Sequence, residues 1–190
     1  MTRSRDEPGS TTATDEELVR GAANGDRHAL ARLFRRHHRT VHSLCYRLTG
    51  DAAATDDLVQ EAFLRVFRYG AGFDGRARFS TWLYRLVRNL CIDHMRARQR
   101  DERRRRRLDT AAEPAVELPA DEDERLELVR RALNDLTPER REVLVLSRYH
   151  DLRYREIAEI LEISLDAVKA RAHRGLRDLR RIIKELERQA

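Results

Sequence analysis

Between Leu165 and Ile183 apolar and basic residues recur at a spacing suited to reading duplex nucleic acid. Wound at about 100° per residue, Leu165, Val168, Ala172, Leu176, Leu179 and Ile183 fall on one face. Ala170, Arg174, Arg177 and Arg181 fall opposite, with Lys169 and Arg171 on the flanks. Small and basic residues facing outward are what a helix needs to enter a major groove, where Arg holds a guanine edge and Lys a phosphate. A second basic set, Arg76, Arg78, Arg85, Arg88, Arg96 and Arg98, is interleaved with Phe73, Phe79, Trp82 and Tyr84. Guanidinium groups hold phosphates and rings stack unpaired bases, so this mixture suits single-stranded nucleic acid. The same rings would equally serve an ordinary core. His38, His42 and Cys45 stand at i, i+4 and i+7 with metal-ligand side chains. No second cluster exists to close such a site, and Cys45 lies on an apolar stripe. No Gly-rich phosphate loop, nucleophile elbow or HExxH motif occurs. No catalytic residue, metal or cofactor is therefore expected.

Helices must position these sets. Thr14 and Glu17 have capping-box spacing, which starts a helix that Gly25 breaks. A second helix carries Leu30, Leu33, Phe34, Val41, Leu44, Cys45 and Leu48 as one buried stripe and ends at Gly50-Asp51. The third, about Thr55 to Arg68, buries Leu58, Val59, Ala62, Phe63, Val66 and Phe67. Its other face holds Asp56, Asp57, Gln60, Glu61, Leu64, Arg65 and Arg68. An apolar Leu64 among charges suits a partner surface. Tyr69 to Arg76 has three glycines and Phe73, the makings of a shaped loop. Ser80 is expected to cap a fourth helix, about Thr81 to Arg98.

In the C-terminal part, Leu126, Val129, Leu133 and Leu136 form a helical stripe, and Thr137-Pro138-Glu139 starts another helix. Ile157, Ala158, Leu161, Ile163 and Val168 then sit where a helix-turn-helix needs them, with Ser164 as the cap of its second helix.

Composition agrees. The 190 residues carry 39 Lys+Arg against 33 Asp+Glu, a net charge of +6, and only 6% aromatics. So thin and aliphatic a core argues against a large β-sandwich or a deep-pocket enzyme. No run of about 18 apolar residues occurs, and Met1 to Thr14 has no apolar core. Neither a membrane contact of its own nor a secretory signal is expected. Two distant cysteines, Cys45 and Cys91, suit a reducing cytoplasm. Residues 96 to 107 hold eight Arg, one Asp and one Glu, whereas Leu108 to Glu124 hold seven acids and no base. The expected architecture is all-α: two small helical domains, 14–100 and 123–190, joined by a flexible acidic linker at 101–122 and preceded by a disordered tail, 1–13.

Four runs, in order, resemble bacterial RNA polymerase sigma factors of the extracytoplasmic-function (ECF) class. Asp57-Leu-Val-Gln-Glu-Ala-Phe-Leu-Arg-Val-Phe67 is similar to that family's core-polymerase-binding helix. Phe79-Ser-Thr-Trp-Leu-Tyr-Arg-Leu-Val-Arg-Asn89 resembles its promoter-melting helix. Leu136-Thr-Pro-Glu-Arg-Arg-Glu-Val143 and Tyr154 to Arg174 resemble its −35 reader.

The resemblance implies a protein that is not an enzyme, binds core RNA polymerase and promoter DNA, and is held inactive by an anti-sigma factor. It implies polymerase binding by Asp57, Gln60, Glu61, Leu64, Arg65 and Arg68. It implies −10 binding by Phe73, Asp74, Arg76, Arg78, Arg85, Arg88 and Asn89. It implies −35 binding by Ser164, Asp166, Ala167, Lys169, Ala170, Arg171 and Arg174. The family's usual Gly-Thr-Val-Lys-Ser-Arg is here Asp166-Ala-Val-Lys-Ala-Arg171, which removes two hydroxyls from the groove face, and its frequent turn glycine is here Glu162. The competing reading is a stand-alone helix-turn-helix regulator whose first 100 residues are a helical sensor domain.

Overall fold

A computed structural model of the chain describes residues 13–107 and 124–189. Its helices are α1 (Asp15–Ala23), α2 (Arg27–Thr49), α3 (Ala52–Tyr69), α4 (Phe79–Arg107), α5 (Glu124–Asn134), α6 (Pro138–Arg148), α7 (Tyr154–Leu161) and α8 (Leu165–Glu187). A 3-10 turn, Gly70–Gly72, follows α3, and no strand occurs among the described residues. The N-terminal tail and the acidic stretch from Leu108 lie outside them.

Caps set the helix starts. Thr14 and Glu17 make the reciprocal box, Glu17 N–H to Thr14 Oγ1 at 3.2 Å and Thr14 N–H to Glu17 Oε2 at 2.8 Å. Asp26 accepts from His28 and Ala29, and Asp51 from Ala54. Such a cap stabilises a helix by about 1 kcal/mol.

Two boundaries differ from the sequence expectation. The fourth helix starts at Phe79, not after Ser80, because Glu16 of α1 takes the Phe79 N–H at 3.1 Å and caps the helix from outside. It also continues past Arg98 to Arg107, so residues 101–107 are helix rather than linker. Its extension gains from Arg98, which binds Asp51 at 3.0 Å and Glu102 at 3.1 Å.

Helices α1–α4 bury Val19, Leu33, Val41, Leu44, Cys45, Val66, Phe79, Val87 and Cys91. Helices α5–α8 pack Ala132, Leu133, Leu136, Leu144 and Ile182 together. The two groups also touch, and Val143, Val145 and Leu146 join the N-terminal core. Six consecutive residues of α6, Arg141 to Leu146, are buried. A helix buried on every side lies between neighbours, and α6 lies between α8 and α2.

Arg141 fastens this junction. Its guanidinium donates to the carbonyls of Leu133, Asn134 and Leu136, and across the junction to Leu48 at the end of α2, at 2.9 Å. Carbonyls at helix C-termini lack intrahelical donors, so one buried cation caps α2 and α5 together. Gly50, left-handed at φ 67°, makes the adjoining contact. A Cβ there would fall 2.5 Å from Asn134 Oδ1.

Candidate nucleic-acid interface

On α3, Asp57, Gln60, Leu64 and Arg68 are exposed, while Glu61 and Arg65 pair at 2.8 Å. The structure adds a neighbour that the spacing did not suggest. Phe34, expected in the buried stripe of α2, is 38% exposed, and Leu64 is 39% exposed. With Leu30 and His38 of α2 and Val59 and Phe63 of α3 they line an open groove of about 380 Å³. Phe34 meets Phe63 edge-on at 4.8 Å and His38 at 4.7 Å. Two adjacent helices cannot both turn a wide apolar stripe into so small a core, so part of each faces outward.

His38, His42 and Cys45 do not converge. Cys45 is fully buried, and His42 faces Asp56 at 3.6 Å. Among the described residues no group of three or more His, Cys, Asp or Glu is placed to hold a metal. The Cys45 thiol instead meets Cys91, whose own thiol is pushed far up by that hydrogen bond and by burial.

The loop before α4 corrects one assignment. Phe73 does not offer a free ring: it is 6% exposed and sits 6.0 Å from Phe79 and 5.8 Å from Trp82. The apolar ring anchors the loop in the core, and the exposed positions are Ala71, Gly72, Asp74, Gly75 and Arg76. Asp74 accepts the Arg76 N–H at 3.0 Å, and its carboxylate lies 3.2 Å from Arg76 Nε.

Arg85 and Arg88 of α4, and Arg78 just before it, point at the C-terminal helices. Arg85 donates to the Glu159 carbonyl from Nε at 3.0 Å and from Nη2 at 2.5 Å, and lies 3.6 Å from Glu162. Arg88 Nη2 donates to Glu142 at 3.1 Å, and Arg88 Nη1 reaches Asn89 at 3.4 Å. Arg78 lies 3.9 Å from Glu156. Beside them, the Tyr84 hydroxyl meets His150 Nδ1 at 3.2 Å. Glu142 and Glu162 were not singled out by spacing, because each partner lies far away along the chain.

Burial raises the Glu142 carboxyl, while Arg88 and then Arg171 of α8 pull it down. Glu142 therefore feels a positive charge from both basic sets. Burial pushes Tyr84 up to about 12. Burial, with Arg47 nearby, pushes His150 down to about 4. Both are neutral near pH 7.

In the helix-turn-helix, the Ser164 hydroxyl accepts the Ala167 N–H at 3.1 Å and starts α8. Val168 and Ala172 turn inward, and Gly175 packs against Leu144. Asp166, Lys169 and Arg174 are exposed, while Ala167, Ala170 and Arg171 are half-buried. Lys169 pairs with Asp166 at 3.2 Å, and Arg174 Nε donates to the Ala170 carbonyl at 3.2 Å. One small and basic strip at the start of α8 thus remains on the surface.

The same two segments match known families. Residues 33–101 match the profile of Sigma-70 region 2, and residues 126–179 that of Sigma-70 region 4. The ECF RNA polymerase sigma factor SigW of Bacillus subtilis is 33% identical, over 90% of this chain and 97% of its own. SigE of Mycolicibacterium smegmatis is 35% identical, over 92% of this chain and 68% of its own. Among solved structures, CnrH in complex with the cytosolic domain of CnrY superposes with a TM-score of 0.69 at 25% identity, covering 91% of this chain and 99% of that one. A region 2 match over the N-terminal helices does not favour a sensor domain there. No helix among the described residues is long and apolar enough to cross a membrane. Both basic sets, the order of the two matched regions and the full-length relatives agree, and the chain belongs to the ECF RNA polymerase sigma factors: DNA-binding transcription initiation factors, not enzymes.

Proposed function

We propose the following division of labour within this sigma factor. The α2/α3 groove and the Asp57–Arg68 face dock on core polymerase. The loop Gly70–Arg76 captures a −10 base, and Arg78, Arg85, Arg88 and Asn89 hold the melted strand. Helix α8 reads the −35 duplex through Arg171 and Arg174, with Lys169 on phosphate and Ser164, Asp166, Ala167 and Ala170 along the groove. The cytoplasm is its place of work, and an anti-sigma factor restrains it, a reading supported by the CnrY-bound state of the similar CnrH.

The observation that carries the polymerase assignment is the exposed apolar pair Phe34 and Leu64, rimmed by Asp57, Gln60 and Arg68. Exposed apolar groups with a polar rim mark partner surfaces. The Leu64→Ala, Glu61→Lys double variant is expected to lose capture by immobilised core polymerase while its melting temperature holds. Undiminished capture of the folded variant would remove this dock.

The −10 assignment rests on different physics. Pulling a base from the stack costs a few kcal/mol, which a pocket returns by hydrogen bonds and stacking. With Phe73 buried, Asp74 and Arg76 supply the polar contacts, and the glycines allow close backbone approach. Replacing residues 71–76 by a Gly-Ser loop is expected to abolish opening of duplex promoters but spare templates already melted at −10. Permanganate reactivity at −10 on duplex DNA that matches the wild type would place base capture in another segment.

A further inference from the structure

Three of the four arginine or asparagine side chains assigned to the −10 strand are already engaged, and each by an acidic or carbonyl group of the C-terminal helices. Arg78 faces Glu156, Arg85 faces the Glu159 carbonyl and Glu162, and Arg88 faces Glu142. Oxygen acceptors spaced along α6, α7 and the turn after it present to α4 what a phosphate backbone would present. We propose that this acidic edge is an intramolecular stand-in for promoter DNA, and that the Glu162 carboxylate is a latch that holds the free chain closed over its own −10 surface. The proposal rests on the strand-binding reading of Arg85 and Arg88.

Glu162 singles itself out. It occupies the left-handed C-cap of α7 at φ 55°, a conformation that favours glycine. The strain belongs to the turn and is the same whether the chain is open or closed. The carboxylate is different: it is 75% exposed and, among the described residues, approaches only Arg85 across the junction, 3.6 Å away. A side chain is thus kept at a position that disfavours one, and its charge lies against a strand-binding arginine. Glu142 differs in kind. It is 5% exposed and is part of the packed junction, so its removal would disturb folding as well as closure.

An exposed ion pair shifts an equilibrium by only about two- to fivefold. The latch therefore biases opening without preventing it, and polymerase or promoter binding can overcome it. Added salt weakens the charge pairs at the edge of the closed junction and leaves the apolar contacts of α6 at its centre.

The test uses the full chain, spin-labelled through cysteines introduced at the exposed Arg39 and Arg180, with dipolar distances measured between the labels. Its binding partner is a fluorescent 20-mer of thymidine. Glu162→Gly keeps the left-handed turn, and Glu162→Gln keeps the side-chain size, so a folding defect in one does not obscure the other. Both are expected to broaden and lengthen the label distances. Both are expected to tighten single-strand binding about two- to fivefold, and adding Arg85→Ala should cancel that gain. Unchanged distances in both variants would overturn the latch, whatever the arginines bind. Longer distances with no gain in binding would overturn the masking by showing that the arginines are not the strand surface. A gain that survives Arg85→Ala would place the unmasked surface elsewhere and overturn it too.

Discussion

Acidification is expected to open the junction between the two helical groups, and His150 sets the size of the effect. Its Nδ1 meets the Tyr84 hydroxyl of α4 at 3.2 Å, and the Arg47 side chain, stacked on the adjoining Tyr149 ring at 3.7 Å, acts on it by charge. With Nδ1 accepting from the tyrosine, Nε2 carries the proton and is buried with no partner among the described residues. Burial first and Arg47 second hold the ring down at about 4, against an ordinary 6.5, with Asp151 opposing weakly. Neutral His150 therefore fits the closed chain, and protonated His150 fits an open one in which water reaches it. Closure is at full strength above about pH 6.5 and weakens as pH falls toward 4. Taken alone, the His150 shift corresponds to about 3 kcal/mol and to about a tenfold rise in the open fraction at pH 5.5, which the Glu142 carboxyl, raised by burial in the closed junction, partly opposes. Tyr84, pushed up to about 12, stays neutral throughout. His37, His42 and His94 face Asp15, Asp56 and Asp51, all within the N-terminal helices. Dipolar distances between labels at Arg39 and Arg180, taken at pH 7.5 and 5.5, would show the opening. His150→Gln, which accepts from Tyr84 but does not titrate, should flatten the response. An equal response in that variant, or no response in the wild type, would refute the reasoning.

Other perturbations probe neighbouring parts. Arg141→Ala orphans carbonyls of Leu133, Asn134, Leu136 and Leu48, and is expected to cost about 3 kcal/mol or more in denaturant unfolding, with little rescue by Arg141→Lys, whose single ammonium cannot fan across four acceptors. Gly50→Ala drives a methyl into Asn134 and should widen the label distances, and Asn134→Ala in the same chain should restore part of the closure. Asp51→Ala removes the N-cap of α3 and the partner of His94 and Arg98, and its melting temperature should fall by an amount equivalent to about 1–2 kcal/mol. Arg171→Ala should lower transcription from promoters with an intact −35 element, and an equal loss on scrambled elements would assign Arg171 to phosphate rather than to a base.

The periodic parts of this molecule were legible from the sequence, and the paired parts were not. The inward and outward faces of α8 follow from residue spacing, because one helix fixes its own geometry. The same holds for the Thr14–Glu17 box and the Ser164 cap, whose partners are three residues apart. Phe34 and Phe73 were misplaced for a shared reason: an aromatic fits a core or a surface equally well, and only the neighbouring helices decide. The junction was missed because its contacts link residues far apart in the chain, such as Arg88 with Glu142 and Arg141 with Leu48. Two signals for it were nonetheless present. Val143-Leu144-Val145-Leu146 is apolar on all sides of a helix, which requires neighbours on all sides. Glu162 stands at a turn position that favours glycine, which asks what the side chain does there.

Run-off transcription on duplex DNA, with core RNA polymerase in the presence and absence of this chain, tests the central claim most directly. Transcript ends mapped on a library of bacterial upstream fragments should reveal starts that occur only with the chain, share a −10 and a −35 element at fixed spacing, and vanish with Leu64→Ala, Glu61→Lys. A chain that retains duplex DNA on its own, yet yields no start beyond those of core polymerase alone, would contradict the account.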